Sequence, residues 1–152
     1  MNFARETLDQ CFEDALPLFR PHYEEVSWDK GHIPLEINFK AYLQIEQLGH
    51  LVCFTARENS VLVGYTMWLV DYPLEYASTQ HAIANTVYMD PAHRNGSGIR
   101  LLQFAESELR DMGVRVLSLD VKRINDWGRI AGSLGYEATD TKYQKYIGGL
   151  HE

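Results

Sequence analysis

The sequence predicts an α/β domain of the α+β kind, a partly parallel sheet that includes a hairpin, flanked by helices and spread over residues 1–152 as one domain. Three observations carry that prediction. Two runs rich in β-branched and aromatic residues, Leu51–Ala56 and Val61–Val70, flank Glu58-Asn59-Ser60 and read as a hairpin. An apolar strand near His81–Met89 leads through Gly96 and Gly98 into an amphipathic helix. That helix ends at Gly113, and Val114–Val121 follows as a run apolar on both faces, the mark of an interior strand in a partly parallel sheet. A strand, helix, strand unit of this length crosses over right-handedly.

The remaining elements follow in order. Across residues 5–19, Leu8, Cys11, Phe12, Ala15, Leu16 and Phe19 recur at the three-and-four spacing of one buried helical face, with Asp9, Glu13 and Asp14 opposite. Pro17 and Pro21 are expected to end or bend this helix, leaving His22–Gly31 as an irregular, aromatic and acidic connection. A second helix is expected from about Leu35 to Leu48, through Phe39, Tyr42, Leu43 and Ile45, with Gly49 as its C-terminal cap. In the third strand, alternation places His81, Ile83, Asn85, Val87 and Met89 on one face and Ala82, Ala84, Thr86 and Tyr88 on the other. Leu101, Leu102, Ala105, Leu109 and Met112 line the apolar face of the long helix. A short helix over Asn125–Leu134 and two final strands, Tyr136–Ala138 and Tyr143–Ile147, complete the chain.

Composition narrows the function. A net charge of −7 opposes binding to a polyanion, so no nucleic-acid partner is expected. No apolar run approaches the roughly 20 residues of a membrane span, and the N-terminus lacks a basic and apolar leader, which points to a cytoplasmic protein without membrane contact. Two cysteines and six scattered histidines show no metal-ligand spacing, so no metal is expected, and Cys11 and Cys53 read as buried small hydrophobes.

The junction Tyr88–Leu102 bears the chemistry. A helix leaves its first N–H groups unpaired and carries partial positive charge at that end. Glycines there let a diphosphate approach the amides closely, and Arg94 and Arg100 add local charge. A plain strand-to-helix turn using glycine for positive φ is the competing reading. The segment lacks the third glycine of a dinucleotide fingerprint and the Lys-Ser/Thr of a P-loop.

Element order and motifs together resemble the GNAT family of N-acetyltransferases over nearly the whole chain, most closely from about residue 80 to 140. The family's Gln/Arg-x-x-Gly-x-Gly/Ala motif is met by His93-Arg94-Asn95-Gly96-Ser97-Gly98, with His93 departing at the first position, and Leu101 and Leu102 match its following leucines. Val87-Tyr88-Met89-Asp90-Pro91 resembles the Val-x-Pro strand end, and Gly135-Tyr136-Glu137 the Gly-Phe-Glu after the short helix. The resemblance implies the family's acyl-CoA N-acyltransferase fold, a central mixed, mostly antiparallel twisted sheet of about six or seven strands flanked by about four helices. It also implies transfer of an acetyl group from acetyl-CoA, as co-substrate, directly to a primary amine of a small molecule, peptide or protein. On this basis Val87, Tyr88, Met89, His93, Arg94, Asn95, Gly96, Ser97, Gly98, Ile99 and Asn125 are expected to hold the coenzyme, main-chain N–H groups of residues 87–89 polarising its thioester carbonyl.

Two family features are missing. Relatives often carry a Glu on the third strand as base, but none lies between residues 76 and 105, which leaves His81 as the candidate base and Asn85 as an orienting group. The competing reading of His81 is a solvated strand-end residue. The Tyr that protonates the thiolate in many relatives is replaced by Ala131, or by Gly132 in the other register. A coenzyme-binding scaffold without activity is therefore the alternative reading. The amine-bearing acceptor is expected between two aromatic and acidic walls, Tyr23, Glu24 and Trp28 with His22 and Glu25 on one side, Asp71 and Tyr72 with Glu75 and Tyr76 on the other. Exposed ends of the final strands suit pairing with a second copy as a homodimer.

Overall fold

The computed structural model describes residues 1–149. Its sheet runs in the order β1 (Asn2–Glu6), β2 (Leu51–Glu58), β3 (Val61–Asp71), β4 (His81–Met89), β5 (Val116–Ser118). The first three junctions are antiparallel and β4 pairs with β5 in parallel. Helices α1 (Leu8–Val26) and α2 (Phe39–Gln47) cover one face, and α3 (Ser97–Asp111) covers the other. A short α4 (Gly128–Ser133) follows a 3₁₀ turn at Arg123–Asn125.

The hairpin forms as expected, closed by Asn59 and Ser60, both at positive φ (51° and 69°) as a tight two-residue turn demands. Each sheet face builds its own core. Leu101 and Leu109 of α3 pack with Phe54, Trp68 and Ala82 of the sheet, while Leu8, Phe12 and Phe19 of α1 pack with Tyr65 and Met67 on the other face. Cys11 and Cys53 are buried and unbridged, their sulfurs 3.6 Å apart.

Several expectations require correction. Residues 2–6 form β1, because Asn2–Glu6 finds a full antiparallel partner in Cys53–Arg57 despite weak local alternation. Neither Pro17 nor Pro21 ends α1, which runs on to Val26 and takes His22, Tyr23 and Glu25 into its last turn. Both prolines and Glu13 lie on the exposed side, so the carbonyls left without an N–H partner face water. Leu16 shares that side and is 48% exposed, not buried. Asn38 accepts a hydrogen bond from the Ala41 N–H (3.1 Å) and so delays the start of α2 to Phe39. The run Val114–Val121 yields strand only at Val116–Ser118, on the sheet edge rather than in its interior. Residues 136–149 form no strand, leaving five strands among the described residues instead of six or seven.

A β-bulge also overturns the simple alternation of β4. Met67 and Trp68 of β3 face Thr86 and Ala84, so Asn85 is the extra residue. Before it, Ala82 and Ala84 point into the α3 core; after it, Val87 and Met89 do, and Tyr88 turns to the α1 core. The bulge therefore exchanges the faces of β4 just where the strand approaches the glycine turn.

Candidate functional site

Two strands that pair and then part define the site. β4 and β5 are joined through His81↔Val116, Ala82↔Leu117 and Ile83↔Ser118, and beyond Ile83 the β5 side of β4 has no strand partner among the described residues. The Asp90 N–H donates to the Val63 carbonyl (2.7 Å) on the β3 side. By alternation, the main-chain groups of Met89 and Val87 point to the open side. There the Met89 carbonyl accepts from Arg94 Nε (2.6 Å), and the main chain of Val87 faces the gap.

The glycine turn closes one end of this gap. Gly96 sits at φ 92°, a left-handed conformation that a side chain would strain, and no side chain caps α3. The first α3 backbone bond runs from the Arg100 N–H to the Gly96 carbonyl (3.2 Å), so the N–H groups of Ser97, Gly98 and Ile99 precede the helical ladder. A Cβ placed on Gly96 would meet nothing within 4 Å, and one on Gly98 only Met89 Cβ at 3.9 Å. Open space thus lies over uncapped amides, the geometry a diphosphate requires. Around it, Ser97 is buried, Arg100 donates to Ser97 Oγ (2.9 Å), Ser97 Oγ donates to Asn95 Oδ1 (3.3 Å), and His93 Nδ1 lies 3.1 Å from Asp90 Oδ2.

Arg94 is engaged elsewhere. Its terminal nitrogen donates to both carboxylate oxygens of Glu25 (2.7 and 2.8 Å), and its guanidinium lies 5.5 Å from the Tyr88 ring centroid. Asn125 Nδ2 donates to the same carboxylate (3.4 Å). Glu25 therefore ties the glycine turn, the end of α1 and the turn after β5 together, which brings Arg94 and Asn125 to one carboxylate while offsetting the arginine's charge.

A cleft of about 270 Å³ opens where β4 leaves β5. Its walls come from the end of α1 (Phe19, His22, Tyr23, Val26), from β3 and β4 (Tyr65, Asn85, Thr86, Val87), and from Asp120, Lys122 and Trp127 after β5. Leu35, Ile37 and Tyr42 complete it, and Asn85 Nδ2 donates to the Tyr42 hydroxyl (3.1 Å). Of the expected acceptor walls only the first contributes, through His22 and Tyr23. Glu24 is paired with Lys30 (3.1 Å), and Trp28 is exposed. Asp71 and Tyr72 lie at the opposite end of β3, beside His81, which pairs with Asp71 and stacks on Tyr76 at 5.8 Å. None of these three lines the cleft, so His81 stands a full strand length from the glycine turn. Sequence reasoning missed Tyr42, Tyr65, Asp120, Lys122 and Trp127, whose types and spacings carry no signal of their own.

His22 and Tyr65 form the most buried polar pair in this cleft. Nδ1 of His22 and the Tyr65 hydroxyl share a hydrogen bond of 2.9 Å, and the imidazole stacks on Tyr88 with centroids 4.9 Å apart. Burial, followed by the charges of Arg94 and Lys122, lowers the His22 pKa to about 4. Burial raises the Tyr65 pKa, so both groups stay neutral near pH 7. The unfolded chain thus binds a proton at His22 between its usual 6.5 and about 4 that the folded chain refuses. The resulting stability is fully present above pH 6.5 and is lost as pH falls through that window, a change on the order of 3 kcal/mol. Urea denaturation at several pH values is expected to show a steeper acid loss for the wild type than for His22→Gln. Equal slopes would contradict the lowered pKa.

Among the described residues no cluster suited to a metal ion occurs, and no helix is long and apolar enough to cross a membrane. No curated protein matches the chain. Solved structures resemble it throughout. A ribosomal-protein-alanine N-acetyltransferase from Brucella melitensis biovar Abortus 2308 is 17% identical with a TM-score of 0.72, over 97% of this chain and 100% of that one. A predicted acetyltransferase with acetyl-CoA from Clostridium acetobutylicum is 14% identical with a TM-score of 0.71, over 96% of each chain. An aminoglycoside acetyltransferase from an uncultured soil metagenomic sample, in complex with sisomicin, is 14% identical with a TM-score of 0.74, over 97% of this chain and 95% of that one. At these identities the likeness is one of fold. The sequence itself matches the Acetyltransferase (GNAT) family over residues 8–136, and with the parted strands and open glycine turn in place, the chain belongs to that family.

Proposed function

We propose that this protein is an acetyl-CoA-dependent N-acetyltransferase that passes the acetyl group directly to a primary amine. The observation that carries the reading is the parting of β4 from β5 after Ile83↔Ser118, beside an uncapped α3 terminus with space above Gly98. One gap thus offers amides for a diphosphate, a free strand edge for an extended arm, and a cleft for an acceptor. When bound, acetyl-CoA supplies the acetyl group as a thioester.

The chain's own groups divide the work. The N–H groups of Ser97, Gly98 and Ile99 hold the diphosphate, with His93, Arg94 and Asn95 shaping the turn and Asn125 bracing it through Glu25. The open main chain of Val87 and Met89, the Val87 N–H foremost, donates to the carbonyl oxygen as it gains charge. Asn85, fixed by Tyr42, and Tyr23 meet the acceptor in the cleft, whose aromatic and aliphatic walls displace water from the amine.

Calorimetric titration with acetyl-CoA and release of free thiol in the presence of amines test this reading. Binding with turnover is the expected result. The scaffold alternative draws on Arg94 being held by Glu25 and on Ala131 standing in place of a tyrosine. Binding without turnover across small amines, peptides and proteins would favour it, and no binding at all would refute both.

A further inference from the structure

We infer that His22, oriented by Tyr65, carries the proton of the transfer, taking it from the acceptor nitrogen and returning it to the coenzyme sulfur. This inference rests on the acetyl-transfer reading above. It answers a need that the family's usual positions leave unmet here, since β4 carries no Glu and Ala131 replaces the acid.

The geometry is that of a positioned base. Such a base has one ring nitrogen fixed by a third group and the other turned to the reacting atoms. His22 meets the first condition through the 2.9 Å bond between Nδ1 and the Tyr65 hydroxyl, and stacking on Tyr88 fixes the ring plane. Nε2 has no hydrogen-bond partner among the described residues, although the ring lines the cleft together with Asn85 and Val87. Tyr65 lies directly across the β3–β4 ladder from Tyr88, so the pair is seated on the same stretch of β4 that offers its open main chain. With the Nδ1–H donating to the tyrosine oxygen, Nε2 keeps a free lone pair on a ring that lines the cleft. The charges that act on the ring are those of Arg94, held by Glu25, and Lys122, both of which favour the neutral imidazole, and Asp120 lines the same cleft.

The step balances on this single carrier. The acceptor nitrogen forms a bond to the acetyl carbon, the carbon–sulfur bond breaks, and the proton lost by nitrogen passes to Nε2 and from there to the departing sulfur. His22 ends as it began, so neither a separate base nor a separate acid is needed. A weakly basic imidazole also becomes a strong donor once protonated, which suits protonation of a thiolate with a reference pKa near 8.5.

Nitrogen-15 NMR of histidine-labelled protein gives the first test. His22 is expected as the neutral tautomer protonated on Nδ1 at pH 7; an Nε2–H tautomer or an imidazolium would overturn the inference. The second test pairs binding with turnover. His22→Ala is expected to bind acetyl-CoA within about threefold of the wild type, yet to release thiol about a hundredfold more slowly, with added imidazole restoring at least about tenfold. Should His22→Ala not fold, His22→Gln, which retains a partner for Tyr65 but carries no proton, is held to the same binding and rate. Tyr65 is a positioning residue: Tyr65→Phe should lower kcat about tenfold in the wild type and not at all in His22→Ala. Turnover retained by both His22 variants, binding lost in step with turnover, or additive losses in the double variant would each overturn the role. A wild type that does not bind acetyl-CoA would instead bring down the underlying reading.

Discussion

Gly98→Leu is expected to abolish measurable acetyl-CoA binding, an affinity loss of at least about a hundredfold, and to leave the fold intact. The position permits this separation because the protein's own atoms leave it room: a Cβ there approaches nothing nearer than Met89 Cβ at 3.9 Å. Gly98 is a residue of the first turn of α3, where replacing glycine by leucine raises helix propensity by up to roughly 1 kcal/mol. Thermal stability is therefore expected to hold or rise slightly. A leucine side chain, however, extends over the N–H groups of Ser97, Gly98 and Ile99 toward the open edge of β4. Hydrogen bonds to a charged group contribute about 1.5–3 kcal/mol each, so blocking two of them costs about 3–6 kcal/mol, beyond a hundredfold. Calorimetry on the variant, paired with a melting curve, checks both halves. Unchanged affinity would show that the glycine turn is no cradle, and a collapsed melting temperature that Gly98 serves the fold instead.

Gly64→Ala is expected to have the largest effect on stability, a loss of about 3 kcal/mol, or on the order of 6–12 °C in Tm for a chain of this size. A Cβ on Gly64 would lie 2.9 Å from the Tyr88 carbonyl oxygen, 2.8 Å from Met89 Sδ and 2.7 Å from Met89 Cε. The methionine tip can swing aside, whereas the carbonyl moves only if β4 moves, and β4 is bonded to β3 through Gly64↔Met89 and Tyr65↔Tyr88. Reduced freedom of the unfolded chain offsets about 0.5–1 kcal/mol of this loss. Measured in a Met89→Ala background, so that the lost core packing of Met89 cancels, the cost of Gly64→Ala should be recovered only in part, because the carbonyl contact persists. Full recovery would place the conflict in the methionine alone, and an unchanged urea midpoint for Gly64→Ala would contradict the close approach itself. Since the displaced atoms belong to the open stretch of β4, acetyl-CoA affinity should fall along with stability, in contrast to the Gly98 variant.

Both predictions turn on features that were unequally legible. The bounds of β4, the hairpin and α3 were readable because alternation, a two-residue turn and three-and-four spacing are local signals. Gly96 was readable too, since its left-handed backbone is what a strand-to-helix turn requires. β1 was not, because Asn2–Glu6 has little pattern of its own and becomes a strand only against β2. Pro17 and Pro21 misled for a related reason: a proline breaks a helix unless its orphaned carbonyls face water and the opposite side is fastened, as Phe12 and Phe19 fasten α1 to the sheet. The final strands failed in the reverse sense. Tyr143 and Ile147 alternate suitably but remain 90% and 87% exposed, so nothing rewards pairing there.

The site divides along the same line. By itself the sequence determined the glycine turn, the strand before it and the helix after it, because backbone conformation and apolar periodicity are written within a few residues of one another. Only the tertiary structure decided which side chains meet there. The bulge at Asn85 exchanged the faces of β4, and the far end of that strand carried His81 away with Asp71 and Tyr76. The passage of α1 through its prolines delivered His22 to Tyr65 and Glu25 to Arg94, partners 43 and 69 residues apart. Contacts over such distances are fixed by how helices settle on a sheet, and no local pattern of residues encodes them.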